Sequence, residues 1–213
     1  MHIEFFVEEE SAEAFLQGLV PKVISEGNSF FVHVFQGKRD LLGHLPARLK
    51  GYRNWLPVDW RIAVLVDEDR QDCKRLKAEL EAAARGAGFA TKTSLDQRGQ
   101  FVVLNRVAIE ELEAWYFGDV EALVKAYPGV PPTLDRKEKY REPDAIPGGT
   151  WETLERVLQR AGYFPAGLPK MEVARKMAPL MDPQRNRSKS FQHFVAGLRA
   201  FLEPSEPTPV KPF

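Results

Sequence analysis

The 213-residue sequence predicts an α/β domain with a mostly parallel sheet, followed by a helical C-terminal extension. Three observations predict it. The first half alternates short, almost continuously apolar runs with stretches at helical spacing, the order that builds crossover units with strands buried on both faces. Two of those runs, Ile3 to Val7 and Arg61 to Val66, stop abruptly in acidic residues. After about residue 118 strand-like runs cease, and Pro128, Pro131, Pro132, Pro143 and Pro147 punctuate the chain.

Taken in order, residues 3–7 read as a buried strand. A helix follows from Ser11 to about Ser25, with Phe15, Leu16, Leu19, Val20 and Val23 at helical spacing and Ser11 as its N-cap. Gly27-Asn28 marks a turn. Phe30 to Phe35 is the second strand. Gly37 follows, and Leu41, Leu42, Leu45 and Leu49 place a helix over 40–52. The third strand is 61–66. A long helix from about Gln71 to Ala87 is closed by Gly88. Phe101 to Leu104 is a further strand, leading into Ile109 to Trp115. Beyond it, helices are expected at about 119–127, 150–161, 170–181 and 189–202. The division is an α/β domain over 1–118, a helical extension over 119–202 packed on it, and a proline-rich tail at 203–213 without periodicity, expected to be disordered.

Composition narrows the function classes. Hydrophobic content of 44% and charged content of 28% suit a globular protein. No apolar run approaches the roughly 20 residues that cross a bilayer, so no membrane partner is expected. The first residues lack a basic stretch before an apolar core, as a signal peptide has. The single cysteine, Cys73, excludes an intramolecular disulfide and a cysteine-rich zinc site, and the expected location is the cytoplasm. Formal net charge is zero, which argues against coating nucleic acid by bulk charge. The distribution is uneven. Residues 1–30 hold six acids and one base, a net of −5, whereas residues 170–190 hold six bases and two acids, a net of +4. An acidic centre with a separate basic surface suits metal-dependent work on a phosphate substrate; two solvated faces are the alternative.

The chemistry concentrates at the strand ends. Asp67 and Asp69 stand at i and i+2, so on an extended strand they point to one side and can share an ion. Open α/β sheets bind ligands in the crevice at that edge. Close carboxylates repel unless a cation or shared proton intervenes. The alternative is an acid-rich turn, with Asp69 or Asp72 as N-cap of the next helix. Glu8 directly follows the first strand and precedes a helix start. If the two strands are neighbours, its carboxylate meets theirs and completes a site for a hard cation such as Mg²⁺ or Mn²⁺. A solvated acidic turn is the alternative there. Glu110, Glu111 and Glu113 follow the fourth strand. Glu110 and Glu113 are expected on one helix face, where one of the three could complete the metal set, Glu113 being the choice; an ordinary exposed helix face is the alternative.

Basic groups provide the counterpart. Lys38 and Arg39 follow the second strand at the same sheet edge. Far along the chain, Asn186 to His193 mixes phosphate-binding groups before a helix. Arg187 can grip a phosphate bidentately and Lys189 as a point charge. In the alternative, Ser190 caps the last helix and the bases are solvated. His193 and Cys73 read as packing residues.

These residues carry a family resemblance. Val7-Glu8, with Ser11 and Glu13-Ala14-Phe15-Leu16, is similar to the opening motif of Toprim domains, in which a glutamate closes the first strand. Asp67-Glu68-Asp69 looks like the Toprim Asp-x-Asp after the third strand. Leu112 to Trp115, following Asn105, resembles a later motif of Toprim-like nucleases linked to phage defence. The chain resembles most a Toprim-like domain-of-unknown-function family, numbered 4276, related to the Toprim nuclease domain of overcoming-lysogenisation-defect proteins. The resemblance runs to about Phe201. It includes Gly37-Lys38, the run from Glu111 to Asp119, Gly148-Gly149-Thr150-Trp151-Glu152, and Asn186 to Phe191. It implies a Toprim-like Rossmannoid fold and Mg²⁺-dependent handling of phosphodiesters. Glu8 would be general base or metal ligand, with Asp67 and Asp69 holding the ion. One position departs from the pattern: Glu9 stands where a glycine usually follows the first glutamate.

Three functions compete. The first is a Mg²⁺-dependent nuclease acting on DNA or RNA, in phage defence beside a separate ATPase partner, since the chain has no Gly-x-x-x-x-Gly-Lys-Ser/Thr loop. A non-catalytic Toprim-like module that binds nucleic acid or protein is the second. The third is an α/β phosphotransferase or phosphatase with an Asp-x-Asp nucleophile. It ranks last, because such a motif usually follows the first strand and here follows the third.

Overall fold

The structure is a computed structural model that describes residues 1–69 and 71–203. Most of the tail predicted at 203–213 lies outside the described residues. Strands β1 (His2–Val7), β2 (Ser29–Val34), β3 (Trp60–Asp67) and β4 (Val103–Ala108) form one parallel sheet in the order β2-β1-β3-β4. Helices α1 (Glu10–Leu19), α2 (Lys38–Arg53) and α3 (Cys73–Gly86) make the crossovers. After β4 the chain is helical: α4 (Glu113–Gly118), α5 (Val120–Ala126), α6 (Thr150–Arg160), α7 (Lys170–Met177) and α8 (Lys189–Arg199). The α/β class with a helical C-terminal part stands as the sequence predicts.

Strand alternation divides the apolar residues between two faces. Phe6, Ile62, Val64, Val66, Val103 and Val107 face α2 and α3. On the opposite face, Ile3, Phe5, Val7, Ala63, Leu65, Leu104 and Ala108 share a core with α1 and with residues from Leu112 to Phe201. Helix α7 packs along α1, and α8 along β4. The C-terminal helices therefore cover the half of that face that α1 leaves open.

Element ends shift for physical reasons. Helix α1 starts one residue earlier than predicted, with Glu9 at the N-cap, and Ser11 hydroxyl donates to the Glu9 carboxylate instead of capping. It stops at Leu19 because Pro21 has no N–H to continue the ladder, and a 3₁₀ turn, Val20–Lys22, follows. Asp72 is the N-cap of α3, accepting from the Lys74 and Arg75 amides. Strand β4 lies two residues later than predicted, because 90–92 bond beside Val102 and Val103 first. Ser188 caps α8, accepting from the Phe191 amide, while Ser190 accepts from the indole of Trp115.

A polar latch ties the junction of α4 and α5 to the segment before α8. Buried Asp119 accepts from Arg185 twice, at 2.8 and 3.0 Å, and from the amides of Ala122 and Asp182. Asn186 donates to the carbonyl of Trp115 at 2.7 Å. Its side-chain oxygen lies so near Gly118 that a Cβ there would approach to 2.0 Å, so only glycine fits.

Candidate functional site at the sheet switch point

The chain leaves β1 toward β2 and leaves β3 toward β4, so strand order reverses between β1 and β3. Ligands of open α/β sheets lie in the crevice at such a point. Glu8 and Asp67 stand there side by side. Glu8 Oε1 accepts from the backbone N–H of Asp67 at 2.7 Å. The Glu8 carbonyl accepts from Gly37 N–H at 2.9 Å, and Gly37 takes φ of +91° to start α2 at the crevice. Lys38 follows at once. Its ammonium is 4.0 Å from Glu8 Oε1 and 2.5 Å from Asp69 Oδ2.

Asp69 does not share the side of Asp67, contrary to the extended-strand expectation. Strand β3 ends at Asp67, and Asp69 adopts φ of +53°, which turns the chain. The turn is fixed by the loop after β4. Glu68 N–H donates to the Ala108 carbonyl, Asp69 N–H to the Glu110 carbonyl, and the Glu68 carboxylate accepts from Glu110 N–H. The Asp69 side chain is half exposed and held by Lys38.

Glu113, in the first turn of α4, enters the crevice. Its side chain is 3% exposed, and its Oε2 is buried without a hydrogen-bond partner. A carboxylate oxygen orphaned in this way calls for a cation or a proton. The nearest countercharge is Lys170, the first residue of α7, 3.8 Å from Glu113 Oε1 and 4.0 Å from Glu9 Oε1. Glu110 does not share a helix face with Glu113. Its φ of +57° places it in the loop before α4. Glu111 is engaged elsewhere, where its carboxylate accepts from Thr150 hydroxyl and Trp151 N–H at the start of α6.

The electrostatics follow from crowding. Burial pushes the Glu8 carboxyl up to about 7, with Asp69 and Glu9 adding to the rise and Lys38 and the Asp67 amide opposing it. Glu113 is likewise pushed up to about 7 by burial, against the pull of Lys170. Asp67 is raised well above the usual carboxylate range by burial and by the charges of Glu113, Glu8 and Glu9. Burial lowers Lys170, but the charges of Glu113, Glu9, Glu111 and Asp67 together outweigh it and raise it. Such mutual perturbation in a cleft marks a functional-site candidate.

Among the described residues, no three carboxylate, histidine or cysteine side chains already form a cation cage. The donor set still fits Mg²⁺, which keeps several waters and takes only one or two protein carboxylates. Beside the crevice, Asp69, Gln71, Glu110, Glu111, Gly149, Trp151 and Glu152 line a cleft of about 420 Å³.

The remaining predicted residues stand apart. Arg39 is exposed in the first turn of α2. Arg187 donates to the Arg141 carbonyl and lies 3.9 Å from Asp135, against the segment between α5 and α6. Lys189 lines a different groove, with Cys73, Arg106 and His193. Lys170 and the position of Glu9 were not anticipated as site features. The only sequence signal for Lys170 is that it opens the basic stretch 170–190. Glu9 takes an extended conformation, φ −148° and ψ 164°, so its backbone does not demand the glycine of the Toprim pattern.

Fold and site together define a parallel α/β protein with an acidic crevice at its switch point, closed by C-terminal helices. The chain belongs to the family described as Domain of unknown function (DUF4276), whose model matches residues 7–199. No curated protein and no solved structure matches it. No helix among the described residues is long and apolar enough to cross a membrane.

Proposed function

We propose that this chain is a metal-dependent, phosphodiester-cleaving nuclease of Toprim type that uses Mg²⁺ or Mn²⁺ on a nucleic-acid substrate. The observation that carries this is the gathering of Glu8, Asp67 and Glu113 between two lysines, Lys38 and Lys170. Of Glu8, Asp67 and Glu113, one or two would hold the cation directly and the rest through its waters, and the orphaned oxygen of Glu113 supports a cation among them. When bound, the cation supplies Lewis-acid stabilisation to a phosphoryl oxygen.

The chain's own groups do the rest. Lys38, beside Glu8 and Asp69, and Lys170, beside Glu9 and Glu113, orient an anionic phosphate. Asp69 holds Lys38 in place. Where Glu8 acts through a water rather than directly on the cation, its carboxylate can accept a proton from that water. A role in phage defence beside a separate ATPase, in the cytoplasm, rests on the resemblance and on the lack of a phosphate loop in this sequence.

The test incubates purified protein with plasmid, linear DNA and tRNA in Mg²⁺ or Mn²⁺. Metal-dependent cleavage that Asp67→Asn abolishes is expected. No cleavage with either metal, or undiminished cleavage by that variant, would overturn the proposal. A second reading, a non-catalytic module that binds nucleic acid or protein, is favoured by the engagement of Asp69 with Lys38. It predicts binding that is indifferent to metal and to Asp67→Asn.

A further inference from the structure

The two edges of the sheet are treated differently. At the β4 edge, the Asn105 carbonyl is taken by the ammonium of Lys77 and the guanidinium of Arg106, and residue 91 bridges to Val103. Cations and a covering segment are the usual means of blunting an edge. Among the described residues the β2 edge has neither. Its sequence, Ser29-Phe30-Phe31-Val32-His33-Val34, contains no Lys, Arg, Asp, Glu or Pro.

In that strand the amides of Ser29 and Phe35 point to β1. Alternation in a parallel ladder then turns the N–H and C=O groups of Phe30, Val32 and Val34 to the open side. Apolar side chains flank this edge on both faces. Phe31, on the α2 face, is 56% exposed, and Val34, on the α1 face, is 37% exposed. Exposure on both faces is what a strand shows when its neighbour is missing. Between β2 and α2 runs a groove of about 750 Å³, lined by residues 31–36 and by Asp40, His44, Ala47 and Arg48.

We propose that a second copy of this chain occupies that edge. The two β2 strands pair antiparallel about a two-fold axis near Val32 and join two four-stranded sheets into one of eight. Self-complementarity favours this occupant. An isologous contact needs each patch to fit itself, and a charge-free strand does so at every register position. Asp40 and Arg48 lie two turns apart on α2, so reversing the partner helix carries the Arg48 of each copy toward the Asp40 end of the other. The covered edge would lose its liability to open-ended aggregation. Antiparallel pairing also sends the two acidic crevices to opposite ends of the joined sheet, so each works on its own substrate. The proposal does not depend on nuclease activity.

Light scattering after gel filtration, at micromolar protein, tests it together with hydrogen exchange. The full chain is expected at twice 24.2 kDa, with the amides of Phe30, Val32 and Val34 protected. Phe31→Lys with Val34→Lys, both at exposed positions, is expected to give a folded monomer in which those amides exchange at least tenfold faster. Circular dichroism establishes that the variant is folded, and Phe31→Lys alone replaces it if the double variant is not. A wild-type monomer, or a dimer that survives the substitutions with the β2 amides unprotected, would overturn the proposal.

Discussion

The backbone N–H of Asp67 donates to the Glu8 carboxylate at 2.7 Å, so the ends of β1 and β3 are joined through a side chain that is also a candidate metal ligand. The bond fixes one Glu8 oxygen and opposes the rise caused by burial. Glu8→Gln keeps an oxygen acceptor for the amide and removes the charge. It is expected to leave the fold intact, to raise Tm at pH 8 by a few degrees, and to abolish metal-dependent activity. Thermal melts beside cleavage assays check this; a lower Tm would mean that the charge itself stabilises the fold.

The pH dependence of stability follows from Glu8 and Glu113. Both have folded-state values raised to about 7, so the folded chain holds protons that the unfolded chain releases at lower pH. Their contribution is fully present below the ordinary glutamate range near 4.5 and is lost as pH rises through about 7. Melts in chelator should therefore show stability falling from pH 5.5 to pH 8 at this site. Saturating Mg²⁺ should recover stability at pH 8 more than at pH 5.5, because bound ligand favours the folded state. An equal gain at both values would contradict the assignment of the carboxylates as ligands.

Lys170 tests the charge balance of the crevice. Lys170→Met leaves Glu113 buried with less countercharge and is expected to cost about 1–2 kcal/mol at pH 8, below the range for fully buried pairs because the lysine is partly exposed. Adding Glu113→Gln should return most of that loss. Urea unfolding of the single and double variants closes the cycle. Additive effects would show that the two groups do not interact.

The latch at Asp119 is independent of the site chemistry. Asp119→Ala removes the acceptor for Arg185 and two amides and is expected to cost about 2–4 kcal/mol. Gly118→Ala should be similarly harmful, since its Cβ would meet Asn186. Denaturant midpoints measure both losses. A near-neutral Asp119→Ala would show that apolar packing alone anchors the segment at 182–186 to the start of α5.

Much of this was legible in the sequence. Apolar runs ending in acids located β1 and β3, because parallel strands bury both faces and open into a crevice at their C-terminal ends. What the sequence could not show was local backbone geometry. The i, i+2 rule placed Asp69 beside Asp67, but it assumes an extended chain, and the bonds from Glu68 and Asp69 to residues 108–110 turn it instead. The same loop took Glu110 away from Glu113. Lys170 was hidden for another reason. It reaches the crevice only because α7 packs along α1, a contact between segments about 160 residues apart that periodicity does not encode. Arg187 carried the right chemistry for phosphate, yet it serves the C-terminal segment, where its guanidinium donates to the Arg141 carbonyl and pairs with Asp135.

The most direct measurement is a Mn²⁺ titration followed by electron paramagnetic resonance, which counts free ion without needing a substrate. A saturable site of submillimolar affinity in the wild-type chain, competed by Mg²⁺ and lost in both Asp67→Asn and Glu113→Gln, is the result predicted. No saturable site, or binding unchanged in both variants, would contradict a cation site at the switch point.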